Sequence, residues 1–344
     1  MPNPLFPDFE EINLTVEPSV TIRGLKSPTN TITDRPPLLL LHGFPQNLNI
    51  WHKIAAPLSS AYTVILLDLR GYGQSSKPES SPTDPHPHAA YSKTTMARDI
   101  VRAMEQLNYA KFYICAHDRG ARVSHRLCVD YPDSVIKSIF LDISPTYTMY
   151  SKTDFTFARL YAHWFFLIKA APFPEKLILG NPRAFLEGQM FGRHQQSSSS
   201  DPHDVTTLFH PTALESYVQN LSSPAGVHAM CEDYRAAATI DMDEAKRDID
   251  QGRKIKCPLR VLWGKQGVVE KCFDCVKDWT DVTDEGVEVS GRALDCGHYI
   301  PEEQGEELRA EIERFFLKAE KLIGCRELGS EEKGDGMYCK EVGG

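Results

Sequence analysis

One stretch constrains this chain more than any other: Cys115-Ala116-His117-Asp118-Arg119-Gly120-Ala121-Arg122. An apolar run, Phe112-Tyr113-Ile114-Cys115, leads into it, and a helix-like pattern with Val123, Leu127 and Cys128 on one side leads out. That is a strand, a tight turn and a helix. Ala116 and Gly120 stand two positions either side of Asp118, the spacing of a nucleophile elbow, where a strained turn lifts one side chain above a sheet. The lifted residue is an aspartate, not a serine or cysteine.

The rest of the chain supplies the sheet. Alternating, β-branched segments within residues 10–24 read as an opening hairpin. Residues 38–41 and 62–67 are continuous apolar runs, as expected of parallel strands buried on both faces. A helix is expected over 49–59 and an amphipathic one over 92–107. Another short strand is expected over 136–141, ending at Asp142. The alternation of strand and helix implies an α/β fold with a mostly parallel central sheet. It breaks between 144 and 253, where helix-like and aromatic segments are joined by prolines. We expect a helical cap there, inserted after the sixth strand, over a core of residues 1–143 plus 254–324. Strands resume at 259–263 and near 287–294, and a last helix is expected over 303–322. Residues 325–344 are rich in glycine and charge and read as a disordered tail.

Sites in open parallel sheets lie at the carboxyl ends of strands. Asp118, Asp142 and His298 each follow an expected strand, in the chain order nucleophile, acid, base. That order resembles the α/β-hydrolase fold. Many members of that fold carry the acid after the penultimate strand. Here the turn reads Trp263-Gly264-Lys265-Gln266-Gly267, with glycine at the carboxylate position. Asp142 is therefore expected to orient His298, with Asp295 as the fallback. An aspartate nucleophile attacks a carbon bearing a leaving group and forms an ester. His298 then activates water to hydrolyse that ester. The backbone N–H groups of Phe44 and Arg119 are the expected oxyanion hole. This chemistry needs no metal or organic cofactor.

Alkyl halides and epoxides both suit such machinery, and Arg119 and Arg122 discriminate between them. Two guanidiniums three residues apart at a helix N-terminus are electrostatically awkward. They make sense around an anionic ligand such as a carboxylate. The alternative is salt bridging to cap carboxylates. Asp-Arg-Gly-x-Arg resembles the elbow of the fluoroacetate (haloacetate) dehalogenases. Also similar are His42-Gly-Phe-Pro-Gln46, Asp68-Leu-Arg-Gly-Tyr-Gly73, Leu141-Asp-Ile-Ser-Pro-Thr-Tyr147, Cys231-Glu-Asp-Tyr-Arg-Ala236 and His163-Trp164 followed by Ala171-Pro-Phe-Pro-Glu-Lys176. The resemblance implies a halide pocket of His163, Trp164 and Tyr234, a small-molecule carboxylate substrate, and a homodimer through the cap. An epoxide hydrolase would instead need cap tyrosines as donors, from among Tyr150, Tyr161, Tyr217 and Tyr234. A third reading is a catalytically silent ligand-binding protein on the same fold.

Composition narrows the classes further. Net charge is −9, which argues against nucleic-acid binding through a basic patch. Nine scattered cysteines, an odd count, imply reduced thiols and a cytoplasmic setting. Cys272 and Cys275 read as two thiols on a helix. No apolar run approaches the ~18 residues of a membrane span. His86 and His88 lack the further ligands of a metal site, and His117 reads as structural. Arg235 is expected at the cap–core interface.

Overall fold

The computed structural model describes residues 3–28, 35–80, 86–194 and 208–317. Eight strands form one sheet: β1 (Glu10–Glu17), β2 (Val20–Lys26), β3 (Pro37–Leu41), β4 (Thr63–Leu67), β5 (Phe112–His117), β6 (Val135–Leu141), β7 (Leu259–Gly264) and β8 (Val289–Leu294). Their spatial order is β1-β2-β4-β3-β5-β6-β7-β8. The opening hairpin joins antiparallel, and every pairing from β4 to β8 is parallel.

Side chains alternate across a strand, so each central run feeds two cores. Leu39, Leu41, Ile114, Ala116 and Phe140 pack on one face. Leu38, Leu40, Tyr113, Cys115 and Ile139 pack on the other. Both faces are covered, which is why β3 to β5 read as continuous apolar runs. Pairing also aligns the strand ends. Leu41 lies opposite Ala116, and His117 opposite Leu141. Asp118 N donates to Leu141 O at 3.2 Å, and Asp142 N to Leu262 O at 2.8 Å. Asp118 and Asp142 therefore emerge side by side at the carboxyl edge.

Between β6 and β7 the described residues hold helices and, apart from one β-bridge at Ile255, no strand. The helices include Thr146–Ser151, Phe155–Leu160, Ala162–Leu167, Phe173–Gly180, Pro211–Leu221, Pro224–Ala237 and Ile240–Gln251. Several local expectations need correction. The helix expected over 49–59 is a 3-10 turn, Leu48–Trp51, and a short helix, Ala55–Leu58. The Asn47 side chain caps the first, and Pro57, with no N–H for the Lys53 carbonyl, interrupts a continuous helix through the two. Cys272 ends one helix and Cys275 begins the next, so the two thiols flank a joint. The last helix runs Gly305–Leu317, after a single turn at Ile300–Glu303. The expected tail lies outside the described residues. No helix among the described residues is long and apolar enough to cross a membrane.

Candidate active site

Asp118 closes β5 with φ 45° and ψ −112°, a conformation that costs an L-residue ~1–3 kcal/mol. Tight packing enforces it. A Cβ at Gly43 would stand 2.4 Å from Asp118 Cβ, and one at Gly120 would stand 2.4 Å from His42 O. Only glycines let the loop after β3 and the elbow helix Arg119–Asp130 come this close. His42 secures that loop: its Nε2 accepts from Leu69 N at 3.1 Å and its Nδ1 donates to Gly43 O at 3.1 Å. Phe44 N then donates to Asp118 Oδ1 at 3.0 Å.

His298 reaches Asp118 from the turn after β8, with Nε2 3.9 Å from Oδ2. Its Nδ1 lies 2.5 Å from Asp142 Oδ2, and Asp142 Oδ1 accepts from Gly264 N at 2.9 Å. Gly267 is part of this arrangement. A Cβ there would lie 3.3 Å from Asp142 Oδ1, tight enough to press on the carboxylate. Asp295 is exposed and contacts Gln266 instead, so the fallback is not at the imidazole. Burial works to raise the Asp118 carboxyl pKa, but His298 and the two arginines outweigh it and hold the group well below its ordinary value.

The arginines differ from the expected open pair. Arg119 is fully buried and grips Asp233: Nε to Oδ2 at 2.9 Å, and Nη2 to Oδ1 at 2.6 Å and to the Asp233 carbonyl at 2.7 Å. Only its Nη1 lacks a hydrogen-bond partner. For this side chain the salt bridge to a helical-insert carboxylate is real. Asp233 also accepts from Tyr72 Oη at 2.7 Å and pairs with Lys93. Burial alone would raise the Asp233 pKa, but the two cations pull it well below the ordinary range. Arg122 has no such partner. Its Nη1 donates to Thr146 Oγ1 at 2.9 Å, its Nη2 sits 3.0 Å from Met149 Sδ, and its Nε is unpartnered. Its guanidinium lies 4.9 Å from the Trp164 ring. No carboxylate among the described residues pairs with it. Burial and then Arg119 lower its pKa, against the attraction of Asp118.

The insert brings His163, Trp164 and Tyr234 to this same place. The His163 ring stacks on Phe44 at 5.9 Å, and Tyr234 meets Phe44 at 5.2 Å and Trp164 at 6.3 Å. Arg119 lies 4.3 Å over the Tyr234 ring. Tyr161, 3.5 Å from His298 Nδ1, also borders the site. Tyr217 does not. It donates to Glu302 at 3.2 Å, in the turn after His298. Arg235 binds Glu175, Glu232 and the Lys169 carbonyl, all within the insert, so it does not bridge to the sheet. His88 pairs with Glu232 at 2.7 Å.

Sequence reasoning missed Asp233, Lys93 and Tyr72 as a unit. A charged residue beside Ala236 and Ala237 in a buried helix was the available signal. Every group of the site is nearly sealed: Asp118 is 4% exposed, Arg122 2%, His163 5% and His298 4%.

Comparisons with known proteins agree with this architecture. Residues 36–225 match the α/β hydrolase fold family. A fluoroacetate dehalogenase of Burkholderia sp. is 43% identical over 71% of this chain and 76% of its own. A soluble epoxide hydrolase of Corynebacterium sp. (strain C12) is 27% identical over 81% of this chain and 90% of its own. A crystal structure from Salmonella enterica, provisionally described as an acyltransferase, superposes with a TM-score of 0.83 at 40% identity, covering 92% of this chain and 98% of that one. The chain therefore belongs to the α/β-hydrolase fold family and, within it, is similar to a fluoroacetate dehalogenase.

Proposed function

We propose that this protein hydrolyses the carbon–halogen bond of a small 2-haloacid. The observation that carries the reading is Arg122, a buried guanidinium near Asp118 that no carboxylate among the described residues pairs with directly. Such a cation is costly unless a ligand supplies the anion. A substrate carboxylate held by Arg122, with the free Nη1 of Arg119, sets the halogen-bearing carbon against Asp118.

Phe44 N–H engages Oδ1, so Oδ2 is the attacking atom. The C–O bond forms as the carbon–halogen bond breaks, and the halide leaves with the bonding pair. Inversion at carbon follows from this displacement. His163, Trp164 and Tyr234 offer N–H and O–H donors to the departing halide. His298 takes a proton from water, and the hydroxide attacks Asp118 Cγ. Asp142 stabilises the imidazolium, and the N–H groups of Phe44 and Arg119 hold the tetrahedral oxyanion. Collapse releases the hydroxy acid and restores the carboxylate. The net reaction consumes one water and releases one halide and one proton. The sealed site supports small acids over bulky epoxides. Tyr161 and Tyr234 at its border support an epoxide-opening alternative.

The test is product analysis with fluoroacetate, chloroacetate and a styrene-type epoxide. Halide release from the acids is expected, and diol without halide would overturn the reading. Arg122→Met is expected to raise KM for the haloacids by about 10- to 100-fold. A neutral haloalkane should be little affected.

A further inference from the structure

His298 sits on a turn between β8 and the single helical turn Ile300–Glu303, outside any strand or helix of its own. Asp142 fixes the imidazole at one ring nitrogen. That contact selects the tautomer, and the ring's position also depends on its backbone. Three other hydrogen bonds act on the backbone itself. Glu303 Oε2 accepts from Gly297 N at 2.6 Å, and Oε1 accepts from Tyr299 N at 2.7 Å. One carboxylate thus holds the residues immediately before and after the base. It lies close against the chain there, since a Cβ at Gly297 would stand 3.2 Å from both oxygens. From the opposite side, His117 Nε2 donates to the His298 carbonyl at 2.8 Å. The two imidazole rings lie 4.7 Å apart, tilted by 52°. His117 directly precedes Asp118, so this bond ties the nucleophile strand to the base.

We propose that Glu303 and His117 are positioning residues for the hydrolytic step, holding the His298 backbone so that Nε2 keeps its station over the Asp118 ester. The inference rests on the assignment of His298 as general base. It fits the chemistry of both residues. The His117 contact is to a carbonyl, so Nε2 carries the proton, while Nδ1 has no partner. Burial holds this ring neutral, with its pKa lowered to about 3, so the bond persists across the working pH range. Ester formation does not use His298, so loss of the clamp should strike only the second half of the reaction.

The test uses the full chain and chloroacetate, with Glu303→Gln, Glu303→Ala and His117→Phe. Rapid-quench halide release reads ester formation, and intact mass reads the covalent ester. Glu303→Ala and His117→Phe are expected to slow ester hydrolysis by about 10- to 100-fold. The first halide release should stay near the parent rate, and the ester should accumulate. Glu303→Gln keeps one acceptor oxygen and should fall between. A merely structural role would slow both steps together or neither, and either result overturns the proposal. If Glu303→Ala does not fold, the other two variants carry the same test. Proton NMR of the free protein gives a second readout without substrate. The downfield His298 Nδ1 proton, assigned by its loss in His298→Gln, should shift and broaden in His117→Phe and Glu303→Gln. An unchanged resonance counts against the clamp. Failure of the parent to release halide from any haloacid would instead remove the dehalogenase reading.

Discussion

The two halves of the site are held by different physics. On the sheet half, Asp118, Asp142 and the Phe44 loop are placed by backbone. Parallel pairing aligns the strand ends, and glycines at 43 and 120 permit the close approach. On the helical half, His163, Trp164 and Tyr234 are placed by side chains packed on one another. They are anchored through a buried knot in which Asp233 meets Arg119, Lys93 and Tyr72. Backbone geometry tolerates side-chain substitution. A buried charge knot does not, because each member leaves the others uncompensated. Chemistry and stability therefore separate along the seam between the halves.

Asp118→Ala makes the sharpest test of that separation. Halide release should fall by roughly a million-fold. Thermal stability should fall less than in Asp233→Ala: the lowered Asp118 pKa makes its charge favourable in the fold, but it makes no ion-pair contact like that of Asp233. A large drop in Tm would mean the sheet half depends on its functional side chains after all. Asp233→Ala is the opposite case. It is expected to cost about 3–5 kcal/mol in urea denaturation. A loss under 1 kcal/mol would dissolve the contrast.

The smallest effect concerns Glu302, where the halves meet. This fully buried carboxyl accepts from Gln46 and from Tyr217 Oη. Burial pushes its pKa well above the ordinary carboxylate value despite those bonds. The folded chain thus holds this proton more tightly than the unfolded chain. Its contribution to stability is complete below the ordinary carboxylate pKa and is lost as pH rises through the raised one. Glu302→Gln should flatten that slope, so the variant overtakes the parent in Tm at alkaline pH. Parallel profiles would contradict the assignment.

The sheet half was largely legible in the sequence because its determinants are local. Each candidate residue follows its own apolar run, and the strand limits fall within about two residues of the expected ones. The glycine at 267 points from sequence alone to Asp142. The helical half was legible only in part. Its helical character was legible as a whole, while His163, Trp164 and Tyr234 came from resemblance. Of the knot, only the charge of Asp233 near Ala236 and Ala237 was legible. Asp233 finds Lys93 and Tyr72 across 140 and 161 residues, and nothing local in any of the three announces the others. The same blindness left Arg119 and Arg122 looking equivalent. Their difference lies in what packs above them.

Position 267 has a consequence beyond making room. A Cβ there and the Asp142 carboxylate lie at contact distance, yet they belong to segments following different strands, β7 and β6. The point in space beside the imidazole is thus within reach of two separate stretches of chain. What the fold preserves is a location for negative charge, and the residue number that delivers it is negotiable.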